Sequence, residues 1–292
     1  MKITISGSLG NIGKHLSQIL IDGGHELTVI SSNPEKKADI EKIGAKAAIG
    51  SVSDVTFLHS AFNGADAVFV MTPPNLGGQN IIQNTVDAGK AFTAAIKSSD
   101  VKRVVMLSSI GADIEAGTGP IAGLYHIEQL YKTLENTSVT FLRAGYFYTN
   151  YYNDIPMIKN AGIMGGNYPS NAKLPLVYAA DIAVAAAQEL EKTGEGQNIR
   201  YIVSDYISAE EATKAIADAV GKPDLNWVEF TDEQSLNGMK QAGIPEEIAG
   251  LYTEMGIAIR TGKLQSDFEK IGTPITGATK FVDFAKELVA NF

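Results

Sequence analysis

Gly7-Ser8-Leu9-Gly10-Asn11-Ile12-Gly13 decides how this chain is read. Ahead of it, Lys2-Ile3-Thr4-Ile5-Ser6 is a short run of strand formers. Behind it, Ile12, Leu16, Ile19 and Leu20 recur at helical spacing. The glycines therefore sit where a strand hands over to a helix, the context that gives a glycine pattern its meaning. Glycine tolerates positive φ in a tight turn and lets backbone approach a bound group. The helix start adds N–H groups without helical partners and the positive end of a dipole, a setting suited to a pyrophosphate. The spacing is G-x-x-G-x-x-G rather than the commoner G-x-G-x-x-G. A turn that binds nothing is the alternative; the agreement of motif, strand and helix favours dinucleotide binding through all seven residues.

Working outward, strand and helix signals alternate, which predicts an α/β fold: a doubly wound parallel sheet with helices on both faces. Strands are expected at 26–30, 45–49, 67–71, 104–107 and 139–142. The all-apolar Ala67-Val68-Phe69-Val70-Met71 suits a strand buried on both faces. Thr72-Pro73-Pro74-Asn75 stops it. Helices are expected at 35–43, 55–62 and 79–97, the last with Ile82, Val86, Phe92 and Ile96 as core candidates. Leu124, Ile127, Leu130, Tyr131 and Leu134 mark one face of another helix. After about residue 150 the rhythm changes. A Gly/Asn/Pro-rich loop is expected at 160–175, strands at 174–178 and 198–203, and helices at 181–190, 208–220, 232–260 and from about 279. Asp181 is placed to cap its helix. The expected division is a dinucleotide-binding domain over 1–150, with a returning segment near 179–204, and a smaller α/β substrate domain over 151–178 and 205–292.

The 292 residues suffice for a sizeable core, and 45% hydrophobic content is ordinary for a globular protein. No apolar run approaches the roughly 20 residues of a membrane span. The chain opens on a strand rather than a basic and apolar leader. With no cysteine there is no disulfide, thiolate catalysis or Cys-ligated metal, which fits the cytoplasm. The net charge of −9, with both signs interspersed, argues against nucleic acid as a partner. The four histidines, 15, 25, 59 and 126, show no ligand spacing, so no metal is expected, and His15 and His25 read as surface or turn residues. The expected partner is a small molecule; a homodimer is compatible with the sequence.

Ligands of such sheets lie beyond the C-terminal strand ends, where strand order reverses. Those ends are small and polar here: Gly7, Ser31-Ser32, Ser51, Thr72-Pro73 and Ser108-Ser109. An acid at the second strand end would bond a ribose 2′-hydroxyl, whereas hydroxyl or basic groups suit a 2′-phosphate. Ser31, Ser32, Asn33 and Lys36, with no acid at the strand end, favour NADP(H) over NAD(H). Lys36 and Lys37 as a plain solvated helix face are the alternative.

Gly7 to Gly13, Asn33-Pro34-Glu35-Lys36, Leu107-Ser108-Ser109-Ile110-Gly111-Ala112 and Phe141-Leu142-Arg143-Ala144-Gly145-Tyr146-Phe147, with Asp181-Ile182-Ala183 further on, together resemble the NmrA-like family, atypical short-chain dehydrogenases/reductases. The resemblance covers essentially the whole chain and is nearest to the NADPH-dependent quinone reductase and triphenylmethane reductase branch. It implies a Rossmann domain, NADP preference, a small C-terminal substrate domain and a cleft between them. Two departures concern cofactor selectivity. Relatives often carry an arginine where Ser32 stands and a carboxylate where Ser51 stands. The family also includes redox sensors that bind dinucleotide without turnover.

Typical short-chain dehydrogenases use Ser, Tyr and a Lys four residues after the Tyr, the Lys tuning the phenol. Ser108 or Ser109 and Tyr125 stand in the matching places, but position 129 is Gln, and Lys132 lies seven residues past Tyr125, about 10 Å along a helix. This argues against a conventional alcohol dehydrogenase and against a nucleotide-sugar epimerase. His126 matches a histidine of the quinone and triphenylmethane reductase branch. Hydride addition to a conjugated acceptor leaves an electron-rich product that a positioned donor can protonate. The expected catalytic set is His126, Tyr125 and Ser109, each with a structural alternative. Tyr146, Phe147 and Tyr151, in the aromatic run after the sixth strand, are expected to line a pocket for a flat acceptor, with core packing as the alternative. The function expected is an NAD(P)H-dependent reductase of quinone-like or other conjugated molecules. The alternative is a dinucleotide-binding sensor acting through a protein partner.

Overall fold

Ile3 and Ile5 of β1 (Lys2–Ile5) are buried because the strand lies between two parallel neighbours, β2 (Glu26–Ser31) and β4 (Ala67–Val70). The computed structural model describes residues 1–74 and 77–292; Asn75, read above as part of the stop after the fourth strand, lies outside the described residues. Between these strands run α1 (Asn11–Asp22), α2 (Lys36–Lys42), β3 (Lys46–Ile49) and α3 (Val55–Phe62). Then come α4 (Ile81–Lys97), β5 (Arg103–Ser109), α5 (Ala122–Tyr131), β6 (Ser138–Ala144) and β7 (Tyr146–Phe147). The later elements are α6 (Ile155–Ala161), β8 (Ile163–Gly166), β9 (Lys173–Val177), α7 (Ala179–Leu190), β10 (Gln197–Ile202), β11 (Asp205–Ser208), α8 (Ala209–Val220), β12 (Asn226–Glu229), α9 (Asp232–Gln241), α10 (Glu246–Arg260), α11 (Ser266–Lys270) and α12 (Phe281–Leu288).

Among the described residues the main sheet runs β10-β6-β5-β4-β1-β2-β3. The pairs β3–β2, β2–β1, β1–β4 and β4–β5 are parallel. The doubly wound α/β reading therefore holds, and strand order reverses between β1 and β4. Small sheets join β11-β9-β7 and β12-β8.

The chain divides into two compact units. Unit one is Met1–Ser109, Gly123–Arg143 and Ile182–Arg200; unit two is Ile110–Ala122, Ala144–Asp181 and Tyr201–Phe292. In unit one, Leu58 and Phe62 of α3, Phe92 and Ile96 of α4, and Ile127 and Tyr131 of α5 pack with Val68, Val104, Val139 and Phe141 of the sheet. In unit two, Phe281, Phe284 and Leu288 of α12 join Tyr148, Tyr151, Leu174, Leu176 and Ile216.

Several expectations need correction. The stretch read as a loop at 160–175 contains β8, which pairs in parallel with β12; its glycines hide the strand, yet a Cβ on Gly165 would meet Phe230 at 2.5 Å. The single helix expected at 232–260 is two, α9 and α10, parted by Gly243 at φ +85° and Pro245 at the α10 N-cap. In α4 the buried positions include Ile81, Thr85, Ala88, Phe92 and Ile96, while Ile82 and Val86 are half-buried, because they lie off the face that packs on the sheet. Asp181 is not a cap. The helix already begins at Ala179, and the Asp181 Oδ2 instead accepts from Ser204 Oγ at 2.6 Å and Thr279 N at 3.1 Å.

Candidate functional site

The turn after β1 is built by two left-handed residues in succession, Gly7 at φ +96° and Ser8 at φ +55°. Ser8 N donates to Ile30 O at 3.0 Å and Gly10 N to Gly7 O at 3.3 Å, so the turn is tied to β2 and closed on itself. Ser6 fastens β1 to the end of β4, donating from Oγ to Met71 O (3.1 Å) and accepting from Met71 N (2.8 Å). A Cβ on Gly7 would meet Met71 Sδ at 2.5 Å, and one on Gly13 would run into the Ser8 carbonyl. Those two glycines serve the close approach of helix, turn and strand. Gly10 differs: it is exposed, extended, and its nearest neighbour for a Cβ is Gly7 O at 3.2 Å. It caps α1 with no side-chain bond, and the first turn of α1 holds no acid. The first-turn N–H groups of Asn11, Ile12 and Gly13 have no intrahelical acceptor, so this end suits an anion. A dinucleotide pyrophosphate fits this cradle.

At the end of β2, Ser31 is buried and its Oγ is committed to its own turn, accepting from Asn33 N at 3.2 Å and donating to Asn33 O at 3.3 Å. Ser32, Asn33 and Lys36 are exposed. Asn33 Oδ1 accepts from Glu35 N at 2.9 Å, and Lys36 Nζ reaches Asp39 at 3.3 Å. Ser51 Oγ accepts from Ser53 N at 3.1 Å after β3. Thr72 is half-buried and Pro73 exposed after β4. Leu9 is half-buried in the glycine turn.

Ser108, expected at the cofactor, turns its hydroxyl inward. It is buried and donates to Glu128 Oε1 at 2.6 Å. Glu128 also accepts from Arg143 Nε at 3.1 Å and Nη2 at 2.7 Å, and this bidentate pair is almost wholly buried, 0% exposed for Glu128 and 4% for Arg143. Ser109, the next residue of β5, is half-buried. Sequence reasoning missed the Glu128–Arg143 pair. Its signal was a charge beside Ile127 on an apolar helix face and another in the apolar strand around Arg143.

Tyr125 and His126 of α5 are half-buried and meet edge to face, with centroids 5.3 Å apart. Gln129 Oε1 accepts from Lys132 Nζ at 3.2 Å, so the nearby lysine is turned to the glutamine.

In unit two, Tyr146 and Phe147 of β7 are half-buried. Tyr151, expected to line a pocket, is 4% exposed and belongs to the core, its ring 4.8 Å from Phe281 and 5.8 Å from Tyr146. The aromatic spacing alone could not separate its role from that of Tyr146. Burial pushes the Tyr146 and Tyr151 phenols well above their ordinary range. Beside them Asp154, which the sequence reading passed over, is pushed up to about 7 by burial.

The NmrA-like family model matches residues 1–267. The chain belongs to the NmrA-like family. It is 27% identical over 296 residues to an NAD(P)H azoreductase from Xenophilus azovorans, covering 99% of each chain. Its fold is similar to an NADPH-dependent quinone oxidoreductase from Escherichia coli, solved with NADPH, at TM-score 0.82 and 19% identity over 98% of this chain and 99% of that one. It is also similar to a Citrobacter sp. triphenylmethane reductase, at TM-score 0.80 and 20% identity over 99% and 100%. No helix among the described residues is long and apolar enough to cross a membrane.

Proposed function

We propose that this protein is an NAD(P)H-dependent reductase of flat, conjugated small molecules such as quinones and azo or triphenylmethane dyes. The observation that carries the reading is the glycine turn at the strand-order reversal, opening an uncapped helix toward an anion. The names of the azoreductase, quinone oxidoreductase and triphenylmethane reductase relatives support the reaction class. When bound, the reduced nicotinamide supplies a hydride. The chain's own part is to hold the pyrophosphate on Gly7 to Gly13 and the ribose end near Ser32, Asn33 and Lys36, and to orient the acceptor. Tyr125 and His126 are the α5 side chains for that orientation. The pair needs no phenolate, which agrees with Gln129 in the place of the tuning lysine. The absence of a carboxylate at the end of β2 favours NADPH over NADH.

The test is oxidation of NADPH and NADH by the purified protein with a panel of quinone, azo and triphenylmethane acceptors. Turnover with NADPH preferred is expected, and Ser32→Asp is expected to reverse the preference. His126→Ala is expected to lower kcat/KM more than Tyr125→Phe. Tight dinucleotide binding with no turnover on any acceptor would replace the enzyme reading by a sensor.

A further inference from the structure

Arg103 opens β5, Ser138 opens β6 and Glu189 lies in the last turn of α7, all three within unit one. Arg103 Nε donates to Glu189 O at 2.8 Å and Nη1 to Ser138 Oγ at 2.8 Å. Its Nη2 donates to Thr140 Oγ1 at 2.7 Å and to Glu189 Oε2 at 2.9 Å. That pair already balances its own charge. Two further cations nevertheless come to the same carboxylate. Lys192 Nζ reaches Glu189 Oε1 at 2.6 Å, and Arg200 Nη1 reaches the same atom at 3.0 Å. These residues line one cavity of about 350 Å³, within the range of about 300–1,000 Å³ usual for small-molecule pockets. Arg103 and Glu189 form its floor, with side chains 8% and 5% exposed, while Arg200 at 28% and Lys192 at 60% stand toward its mouth. A Cβ on Gly194, another lining residue, would meet nothing within 4 Å, so the pocket is open there. Three cations against one carboxylate give the lining a formal charge of +2, on a chain whose net charge is −9. Glu191, the next acid along the chain, is turned to His25 Nε2 at 3.0 Å. Each cation has a partner in Glu189, so what the pocket leaves unmet is charge. The start of β5 lies at the opposite end of the sheet from the glycine turn, since β5, β4 and β1 run parallel and the turn follows the end of β1.

We propose that this pocket is a second ligand site, which binds the phosphate group of a small organic phosphate through Lys192 and Arg200. A phosphate monoester carries a charge of roughly −1.5 to −2 at neutral pH and three acceptor oxygens. It therefore matches a surplus of two positive charges, whereas a single carboxylate would balance only one. An ammonium and a guanidinium side by side are the donors such a group takes, and their bonds to it are charge-assisted. Arg103 and Glu189 are the support: the carboxylate holds both mouth cations in place, and the buried guanidinium keeps that carboxylate from cancelling them. Ile199, 49% exposed on the edge strand β10, also lines the cavity and supplies an apolar contact for the organic part. A ligand here leaves the glycine turn open, so it binds together with a dinucleotide rather than in its place.

The experiment is calorimetric titration of the full chain at low ionic strength with phenyl phosphate, inorganic phosphate and benzoate. The parent, the double variant Lys192→Gln/Arg200→Gln and Gly10→Val are compared. Phenyl phosphate is expected to bind the parent at one site, inorganic phosphate more weakly, and benzoate at least about tenfold more weakly than phenyl phosphate. The double variant should lose at least about tenfold in phenyl phosphate affinity, because two charge-assisted bonds are removed. Gly10→Val should bind phenyl phosphate as the parent does. Thermal unfolding gives a second readout: phenyl phosphate should raise the Tm of the parent and of Gly10→Val, and leave that of the double variant unmoved. Should the double variant fail to fold, Lys192→Glu, at a largely exposed position, is read in the same way, with a larger loss from the reversed charge. A parent that binds no phosphate compound would overturn the site. So would equal phenyl phosphate affinity in parent and double variant. Binding lost in Gly10→Val and kept in the double variant would overturn it too, by moving the phosphate to the glycine turn. Benzoate bound as tightly as phenyl phosphate would overturn phosphate as the ligand class. Inorganic phosphate bound as tightly as phenyl phosphate would overturn the organic part assigned to Ile199 and make free phosphate the occupant. None of these outcomes touches the reductase reading, which is judged by NADPH oxidation alone.

Discussion

Glu128 in unit one and Asp154 in unit two are both carboxyls withdrawn from water, and they meet opposite fates. Glu128 is fully buried but receives two guanidinium N–H groups of Arg143 and the Ser108 hydroxyl, so its oxygens are satisfied. Asp154 has burial as the one cause acting on its acidity, and its carboxyl is pushed up to about 7. A paired buried charge pins elements together, here α5 to β5 and β6, and has nothing left to give a ligand. An unpaired one is driven to its neutral form and keeps a transferable proton. Unit one repeats the first device with Arg103 and Glu189, 2.9 Å apart and both largely buried. The unmet polar groups that it offers a ligand are instead backbone N–H groups at the start of α1.

The largest test of this contrast is Arg143→Met, which strands the Glu128 carboxylate in the core. Stability in urea should fall by about 3–5 kcal/mol. Replacing Glu128 with Met in the same chain should recover much of the loss, because the cost lies in the unpaired charge. Gly10→Val comes next. Calorimetric titration should show NADPH affinity weakened at least about a hundredfold, on the order of 3 kcal/mol. Stability should fall only by about 1 kcal/mol, the size of a helix-cap effect, since Gly10 is exposed and extended. A mutant that binds as the parent does would remove the dinucleotide from this turn. Asp154→Asn follows, with a gain on the order of 2 kcal/mol over the parent above about pH 7, after allowing for the partial exposure of the residue. That gain should vanish toward about pH 4, where the parent acid is neutral both folded and unfolded.

The smallest effect belongs to Asp232, which receives Nη1 of Arg260 at 2.8 Å and Nη2 at 3.1 Å at the surface of unit two. These bonds and that to Asn167 hold its carboxyl down to about 2. The stabilisation is present above 3.8 and is lost as pH falls through about 2. Asp232→Asn should cost at most about 1 kcal/mol at neutral pH because solvent screens the pair. It should also weaken the acid-induced loss of stability seen in the parent.

Much of unit one was legible in the chain because its signals are local. The glycine turn, its strand and its helix lie within about twenty residues, and period and turn chemistry report all three together. The β8–β12 pair was not legible, since Gly165 and Gly166 carry no strand signal and Asn226–Glu229 lies far along the chain. The aromatic run after β6 was visible as a cluster, but packing alone separates half-buried Tyr146 and Phe147 from Tyr151 in the core.

The sequence by itself determined the alternation of strand and helix, the turn for an anion and the missing lysine at position 129, because each is written in neighbouring residues. Tertiary structure alone decided which charges are paired. Ser108, Glu128 and Arg143 converge from three elements, and Asp181 leaves the helix start to reach Ser204 and Thr279. Asp154 is likewise an ordinary carboxylate in the sequence until folding withdraws it from water. The acidity of a group depends on the water and charge within a few ångströms, and folding sets both.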